Sequence, residues 1–273
     1  MKRVRKLCIA LAIATVLVML KASAWAGTTP GSGMEGYAHD WSGKAFSFSK
    51  TRGTVTTTTT GTVGTCTYCH TPHHALSTLL LWNQTLATDT FSWDVPTTTS
   101  GTKFPTFVGN TYMGPTAKCL SCHDGSVAIG DFNFYQGGGE AFSAPNTDAT
   151  SKISSTSGIS VGFGGNMKGN HPVAMPYPYE QVPNTYNTVT TGGGGTGFVP
   201  TEWVPDPTVN GIVLYNDDGS QHITAGPVAG KSGIECTSCH DPHNGPLVVD
   251  VDLLLGQIAG TGTTYICSKC HIK

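Results

Sequence analysis

Charge is scarce in this chain of 273 residues: Asp, Glu, Lys and Arg make up 12%, with 15 basic residues against 17 acidic. No basic stripe or cluster stands out beyond the N-terminus, which argues against a nucleic-acid surface or a basic membrane-binding patch. After residue 20 no apolar run is long enough to span a bilayer. Long amphipathic helical patterns are also missing, while Gly, Thr, Ser, Pro and Asn are abundant. Such a composition gives only a thin protein core for this length. Past residue 26, every cysteine belongs to a Cys-x-x-Cys pair, so none is left over for a disulfide framework.

The N-terminus reads as a secretory leader. Lys2, Arg3, Arg5 and Lys6 form a basic region, residues 7–20 are apolar, and Ala24-Trp25-Ala26 is a small-x-small cleavage site. Residues 1–26 are therefore expected to be a cleaved signal peptide that takes Cys8 with it, and residues 27–273 a single domain. Removing Lys2, Arg3, Arg5, Lys6 and Lys21 leaves ten basic residues against seventeen acidic ones, a net charge of −7.

One pentapeptide recurs four times, with first cysteines at Cys66, Cys119, Cys236 and Cys267. Each copy reads C-x-x-C-H, the attachment signature of a c-type haem. The thioether cysteines are Cys66, Cys69, Cys119, Cys122, Cys236, Cys239, Cys267 and Cys270; the proximal iron ligands are His70, His123, His240 and His271. Two Cys₄ zinc sites are the rival reading, but they leave the histidine after every pair unexplained. A thioredoxin-like role needs one such pair, not four. The spacings of 53, 117 and 31 residues are not a solenoid period. A local similarity does exist between Cys66-x-x-Cys-His-Thr-Pro-His73 and Cys236-x-x-Cys-His-Asp-Pro-His243.

Six histidines remain for four distal positions: His39, His73, His74, His171, His222 and His243. Bis-histidine ligation at every iron is thus possible. Met34, Met113, Met167 and Met175 are rivals that would raise the potential. His73 and His243 each follow a proximal histidine by three residues with a proline between. A chain turning at proline cannot set that imidazole over its own haem, but can project it toward a neighbouring one. His171 precedes Pro172 and so has an extended backbone. His39 lies 31 residues before His70, in a segment with long reach. His74 reads as a propionate or solvent contact, and His222 as an exposed strand histidine.

Between the motifs the chain reads mainly as loop. The threonine run at residues 54–60 favours extended backbone. Residues 87–116 read as loop with short strands, and Asp124-Gly125 as a turn. Residues 211–224 read as a β-hairpin around Asn216-Asp217-Asp218-Gly219-Ser220, residues 192–195 as a glycine linker, and residues 247–255 as a strand. The fold class expected is mostly irregular: a coil-rich multihaem cytochrome with few short helices and strands, wrapped around a stack of four c-type haems.

The phrases His39-Asp40, Cys66-TYCHTPH-His74, Leu81-Trp82-Asn83-Gln84-Thr85, Cys119-LSCHDGSVAIG, Asn170-His171-Pro172-Val173, Glu235-CTSCHDPHN and Ile266-CSKCHIK carry a resemblance. The chain resembles multihaem c-type cytochromes of the cytochrome c3-like, doubled-CXXCH family, and within it the tetrahaem cytochromes that form extracellular electron-conducting filaments in metal-reducing bacteria. The resemblance implies four covalently bound, bis-histidine c-type haems, with the distal set His39, His73, His171 and His243. It also implies an end-to-end homopolymer in which one haem takes its ligand from the neighbouring subunit.

The expected function is electron transfer without substrate chemistry, so not an enzyme. The partners expected are further copies of the chain, redox proteins and extracellular acceptors, with neither nucleic acid nor a membrane span involved. The chain is expected to be exported to the cell surface. The alternatives are a monomeric periplasmic shuttle and a small-anion reductase with an open iron. A far-reaching His39 is the sequence's candidate for ligation between subunits.

Overall fold

The computed structural model describes residues 29–42, 45–52, 55–62, 64–73, 75, 80–131, 147–192, 198–220, 222–250, 252–259 and 264–272. The leader reading, His74 and most of the glycine linker lie outside the described residues.

Ten strands form four small antiparallel sheets among the described residues. Strands β1 (Ala45–Arg52) and β2 (Val55–Thr62) pair along their whole length, from Ala45 opposite Thr62 to Arg52 opposite Val55. Strands β3 (Thr90–Phe91) and β4 (Phe107–Val108) form a second ribbon, and β6 (Thr185–Tyr186) and β7 (Val189–Thr190) a third. The largest sheet has the order β5 (Met175–Pro176), β10 (Ser232–Ile234), β8 (Tyr215–Asp217), β9 (Ile223–Ala225). Helices α1 (Thr65–Cys69), α2 (Pro115–His123) and α3 (Cys236–Cys239) carry the first three motifs, and a 3-10 turn at Ile266–Lys269 carries the fourth.

This corrects the coil-rich, haem-wrapped fold expected from composition. The chain is a sheet-containing fold with a hydrophobic core of its own. Ala87, Phe91, Phe107, Tyr112, Ala117, Leu120, Met167, Ala174, Tyr186 and Ile223 are buried together. Burying each large side chain contributes about 1.5–3 kcal/mol. Four of these ten, Phe91, Phe107, Tyr112 and Tyr186, are aromatic and bring the largest apolar area to the cluster. Met167 and Met175 are buried, Met167 within this cluster.

The expected hairpin is present as β8–β9, but its first strand, Tyr215–Asp217, takes in residues read as the turn; residues 55–60 of the threonine run lie in β2. The described residues of 247–255 do not form a strand. They turn back on themselves, with Val249 N donating to Leu254 O at 3.0 Å, and only Leu254 makes a bridge, to His240. The Asp124-Gly125 turn is as read: Gly125 has φ +69°, and a Cβ there would meet Ile153 O at 2.5 Å.

Candidate functional site

Each motif is one helical turn. Residues three apart share a face of such a turn, which sets both thiols of a pair on one side. The turn closes identically in three copies: His70 N donates to Cys66 O at 2.8 Å, His240 N to Cys236 O at 3.0 Å, and His271 N to Cys267 O at 2.9 Å. In α2 the motif ends a longer helix whose Ala117 and Leu120 sit in the core. That anchorage positions Cys119 and Cys122 on either side of a buried leucine. All eight described cysteines are free thiols.

The motifs follow one another in space in chain order. Cys69 raises the pKa of Cys122; Cys119 and Cys236 share a hydrogen bond; Cys267 raises Cys239, and Cys239 raises Cys270. Burial pushes Cys69 and Cys239 up to about 11 and Cys122 and Cys270 up to about 12, so these thiols are protonated at neutral pH.

Glu235 joins the second and third motifs. Its carboxylate is buried and accepts hydrogen bonds from the hydroxyls of Tyr112 and Tyr186 at Oε1 and from Thr116 N at Oε2, 2.9 Å away. Thr116 Oγ1 accepts from Cys236 N at 3.2 Å. The N-termini of α2 and α3 are therefore tied together through one acid. Burial raises its pKa despite those bonds.

Three proximal imidazoles share one kind of tether. Nδ1 of His123 donates to Ile159 O at 2.8 Å, Nδ1 of His240 to Asp252 O at 2.7 Å, and Nδ1 of His70 to Leu80 O. A carbonyl only accepts, so Nδ1 carries the proton and Nε2 keeps its lone pair, the form that binds metal.

The tethers of His70 and His240 are copies of each other. His70 bridges Trp82, and His240 bridges Leu254. Asn83 N donates to Cys69 O and Leu255 N to Cys239 O. The tethering carbonyls belong to consecutive left-handed pairs, Leu80–Leu81 (φ 63° and 49°) and Asp252–Leu253 (φ 58° and 63°). Non-glycine residues in that conformation cost about 1–3 kcal/mol each, and here the strain turns a carbonyl onto the proximal imidazole. Sequence reading missed these pairs, because their only signal was the similarity of the two phrases that precede them. Asn83 and Gln84, quoted only as part of a resemblance, donate to Thr67 O at 2.5 Å and Tyr68 O at 2.9 Å and so hold α1 in place.

Three of the four distal candidates face a proximal histidine. Ring centres lie 6.2 Å apart for His70 and His243, 6.3 Å for His123 and His39, and 6.5 Å for His271 and His171. Two imidazoles trans on one metal have centres roughly 6 Å apart, since each metal–nitrogen bond is about 2 Å and each nitrogen lies about 1 Å from its ring centre. His39 reaches its place within its own chain. Its Nδ1 lies 3.1 Å from Pro242 O, and Asp40 accepts from Thr65 Oγ1 at 2.9 Å. Buried Asn244 binds the start of this segment through Gly31 N, Thr29 O and Gly33 O. Burial, with His123 beside it, lowers the pKa of His39, and burial likewise lowers that of His123.

The structure does not bring His73 to a proximal histidine. It is exposed, and no ring contact to it is present among the described residues; the same holds for His240. His222 lies on the β8–β9 hairpin, 3.5 Å from Asp218 and exposed, as expected.

These features fit c-type haem. Imidazoles meet in twos, each pair built on the histidine of a Cys-x-x-Cys-His turn. Two axial imidazoles hold an ion only when a macrocycle fills the other positions. An open cleft of about 560 Å³ lies beside the third and fourth motifs, lined by Val209, Leu247, Val249, Leu255 and Lys269 among others. The buried indole N–H groups of Trp82 and Trp203, beside His70 and His271, find no acceptor among the described residues. A ligand bearing carboxylates would satisfy them. Neither a family model nor a curated protein matches the chain. No helix among the described residues is long and apolar enough to cross a membrane.

Proposed function

We propose that this chain is an exported electron-transfer protein, holding four covalently bound c-type haems and working as the repeating subunit of an end-to-end assembly. The observation that carries the reading is the set of three facing imidazole pairs, each built on a C-x-x-C-H turn, with centres 6.2–6.5 Å apart. Cys66 and Cys69, Cys119 and Cys122, Cys236 and Cys239, and Cys267 and Cys270 would form the thioethers. His70 with His243, His123 with His39, and His271 with His171 would be axial pairs. Bound c-type haem supplies one-electron iron chemistry, and bis-histidine ligation favours low potentials. The protein's own work is to hold Nε2 lone pairs in position, through the Nδ1 tethers, and to keep the four motifs in linear order.

A second reading, a small-anion reductase, is favoured by one observation: His240 faces no imidazole in its own chain among the described residues. An open distal position is what substrate binding at iron requires. Haem counting by pyridine haemochromogen and the spin state of the oxidised protein test both. Four haems per chain with low-spin signals support the carrier. Fewer than four haems, or turnover of nitrite with a persistent high-spin centre, would replace it.

A further inference from the structure

Three of the four proximal histidines sit in the same two-rung antiparallel ladder. Around His70, opposite Trp82, Asn83 N donates to Cys69 O at 2.9 Å and Thr71 N to Leu81 O at 2.8 Å. Around His240, opposite Leu254, Leu255 N donates to Cys239 O at 2.8 Å and Asp241 N to Leu253 O at 2.9 Å. Around His271, opposite Trp203, Val204 N donates to Cys270 O at 2.9 Å and Ile272 N to Glu202 O at 2.8 Å. The second motif differs, since His123 O itself accepts from Val161 N at 2.9 Å. Resting on the four-haem reading above, we infer that Trp82 and Trp203 donate their indole N–H groups to haem carboxylates at the first and fourth sites and hold those carboxylates ionised, while Leu254 leaves the third site without a donor at that position.

In each ladder the central pair exchanges no hydrogen bond, so its two side chains stand on one face at close range. The residue opposite the histidine is thereby fixed beside the imidazole: ring centres are 6.3 Å apart for His70 and Trp82 and 4.6 Å apart for His271 and Trp203. An indole N–H can only donate. Both of these are buried and find no acceptor among the described residues. Tyr177 packs edge-on against Trp203 at 5.5 Å but turns its own hydroxyl to Val204 O, so it positions the indole without accepting from it. Two donors orphaned at equivalent places in two motifs point to an acceptor that arrives with what the motifs bind. Haem brings two carboxylates, while its ring nitrogens are taken up by iron. Trp93 also has a buried N–H without an acceptor, but it stacks in the aromatic core against Phe104 and Phe107, away from these ladders.

The consequence is electrostatic. A hydrogen bond to the ionised form lowers a carboxyl's pKa, and burial raises it. With the indole N–H in place the carboxylate stays charged at neutral pH whether the iron is oxidised or reduced, and the potential of that site does not respond to pH there. Without the N–H, each electron taken up by the iron favours uptake of a proton from solvent by the carboxylate, and the potential falls as pH rises. Losing one charge-assisted hydrogen bond raises the proton affinity about ten- to a hundredfold. Trp82 and Trp203 are thus positioning residues that make the first and fourth sites insensitive to pH.

The test is redox titration of the haem-loaded, full-length protein at several pH values, together with infrared difference spectra of the oxidised and reduced states. Wild type is compared with Trp82→Phe, Trp203→Phe and Trp93→Phe. Trp82→Phe and Trp203→Phe are each expected to keep four haems, to give one titration component a new fall of potential with rising pH, and to add a protonated-carboxyl band on reduction. The component affected should differ between the two, and Trp93→Phe should match wild type. Where the smaller phenylalanine ring lets a site loosen, a benzothienyl analogue at the same position keeps both rings and removes only the N–H, and it should give the same result. Potentials and carboxyl bands unchanged in the Trp82 and Trp203 variants overturn the inference, as does an equal effect from Trp93→Phe, or an effect of phenylalanine that the benzothienyl analogue does not reproduce. A wild-type chain with fewer than four haems overturns the four-haem reading instead, and this inference with it.

Discussion

Glu235 is the residue on which two motifs lean, and its chemistry has a measurable sign. Burial holds its folded pKa above the unfolded value of about 4. Its contribution to stability is therefore full below that ordinary range and is lost as pH rises through the raised folded value. Wild type should melt at progressively lower temperature across that window. Glu235→Gln should flatten the slope, because the amide does not ionise. It should cost little at low pH, where the neutral acid and the amide alike offer an accepting oxygen to Thr116 N and a donor to the tyrosine hydroxyls. Thermal melts by circular dichroism from pH 4 to 9 measure both, and an unchanged slope would remove Glu235 from this role. His39 has a different signature. His39→Ala should leave the His123 site high-spin with the other sites unchanged, and an unchanged spin state would mean that His39 does not serve His123.

At the scale of the element, the motifs were legible and their supports were not. C-x-x-C-H marks the thiols and imidazoles by type and order, whereas the helical turns α1, α2 and α3 that carry three of the motifs were not read from the sequence. Composition misled about the rest. Glycine and threonine suggested a wrap without a core, yet Phe91, Tyr112 and Tyr186 are buried where two- and three-residue strands bring distant segments together. Strands that short have no periodicity to read. The left-handed pairs Leu80–Leu81 and Asp252–Leu253 were equally hidden, because neither contains the glycine that usually marks such backbone. Strand β10 shows how tight the result is. A Cβ on Gly233 would sit 2.2 Å from the ring of Tyr186, which in turn donates to Glu235. Gly233→Ala should cost about 1–3 kcal/mol by overpacking. Urea unfolding would show it as a lower midpoint at unchanged slope, and an unaffected midpoint would mean the ring has room to move. The N-terminal segment is held differently, through Asn244. Asn244→Ala should free residues 29–42 to proteolysis and raise the high-spin signal at the His123 site, with the other sites unchanged.

For the whole molecule, the balance between repulsion and attraction between copies would decide the proposed assembly. The exported chain proposed here carries ten basic and seventeen acidic residues, and haem propionates add to the negative side. Copies brought end to end therefore repel, and few Lys or Arg are present to form ion pairs across the contact. If the joint is an imidazole–iron bond, as the resemblance implies, it does not depend on opposite charges, whereas the repulsion does respond to salt. The Debye length falls from about 30 Å at 0.01 M salt to about 8 Å at 0.15 M, which removes most long-range repulsion between subunits. Assembly should thus strengthen as salt rises, and sedimentation at fixed protein concentration should show longer species at 0.15 M than at 0.01 M. Adding free imidazole at the higher salt should shorten them again, by competing for the same coordination position. Assemblies that dissolve as salt rises would mean that ion pairs hold the subunits together, and assemblies indifferent to imidazole would mean that the joint is made without a histidine.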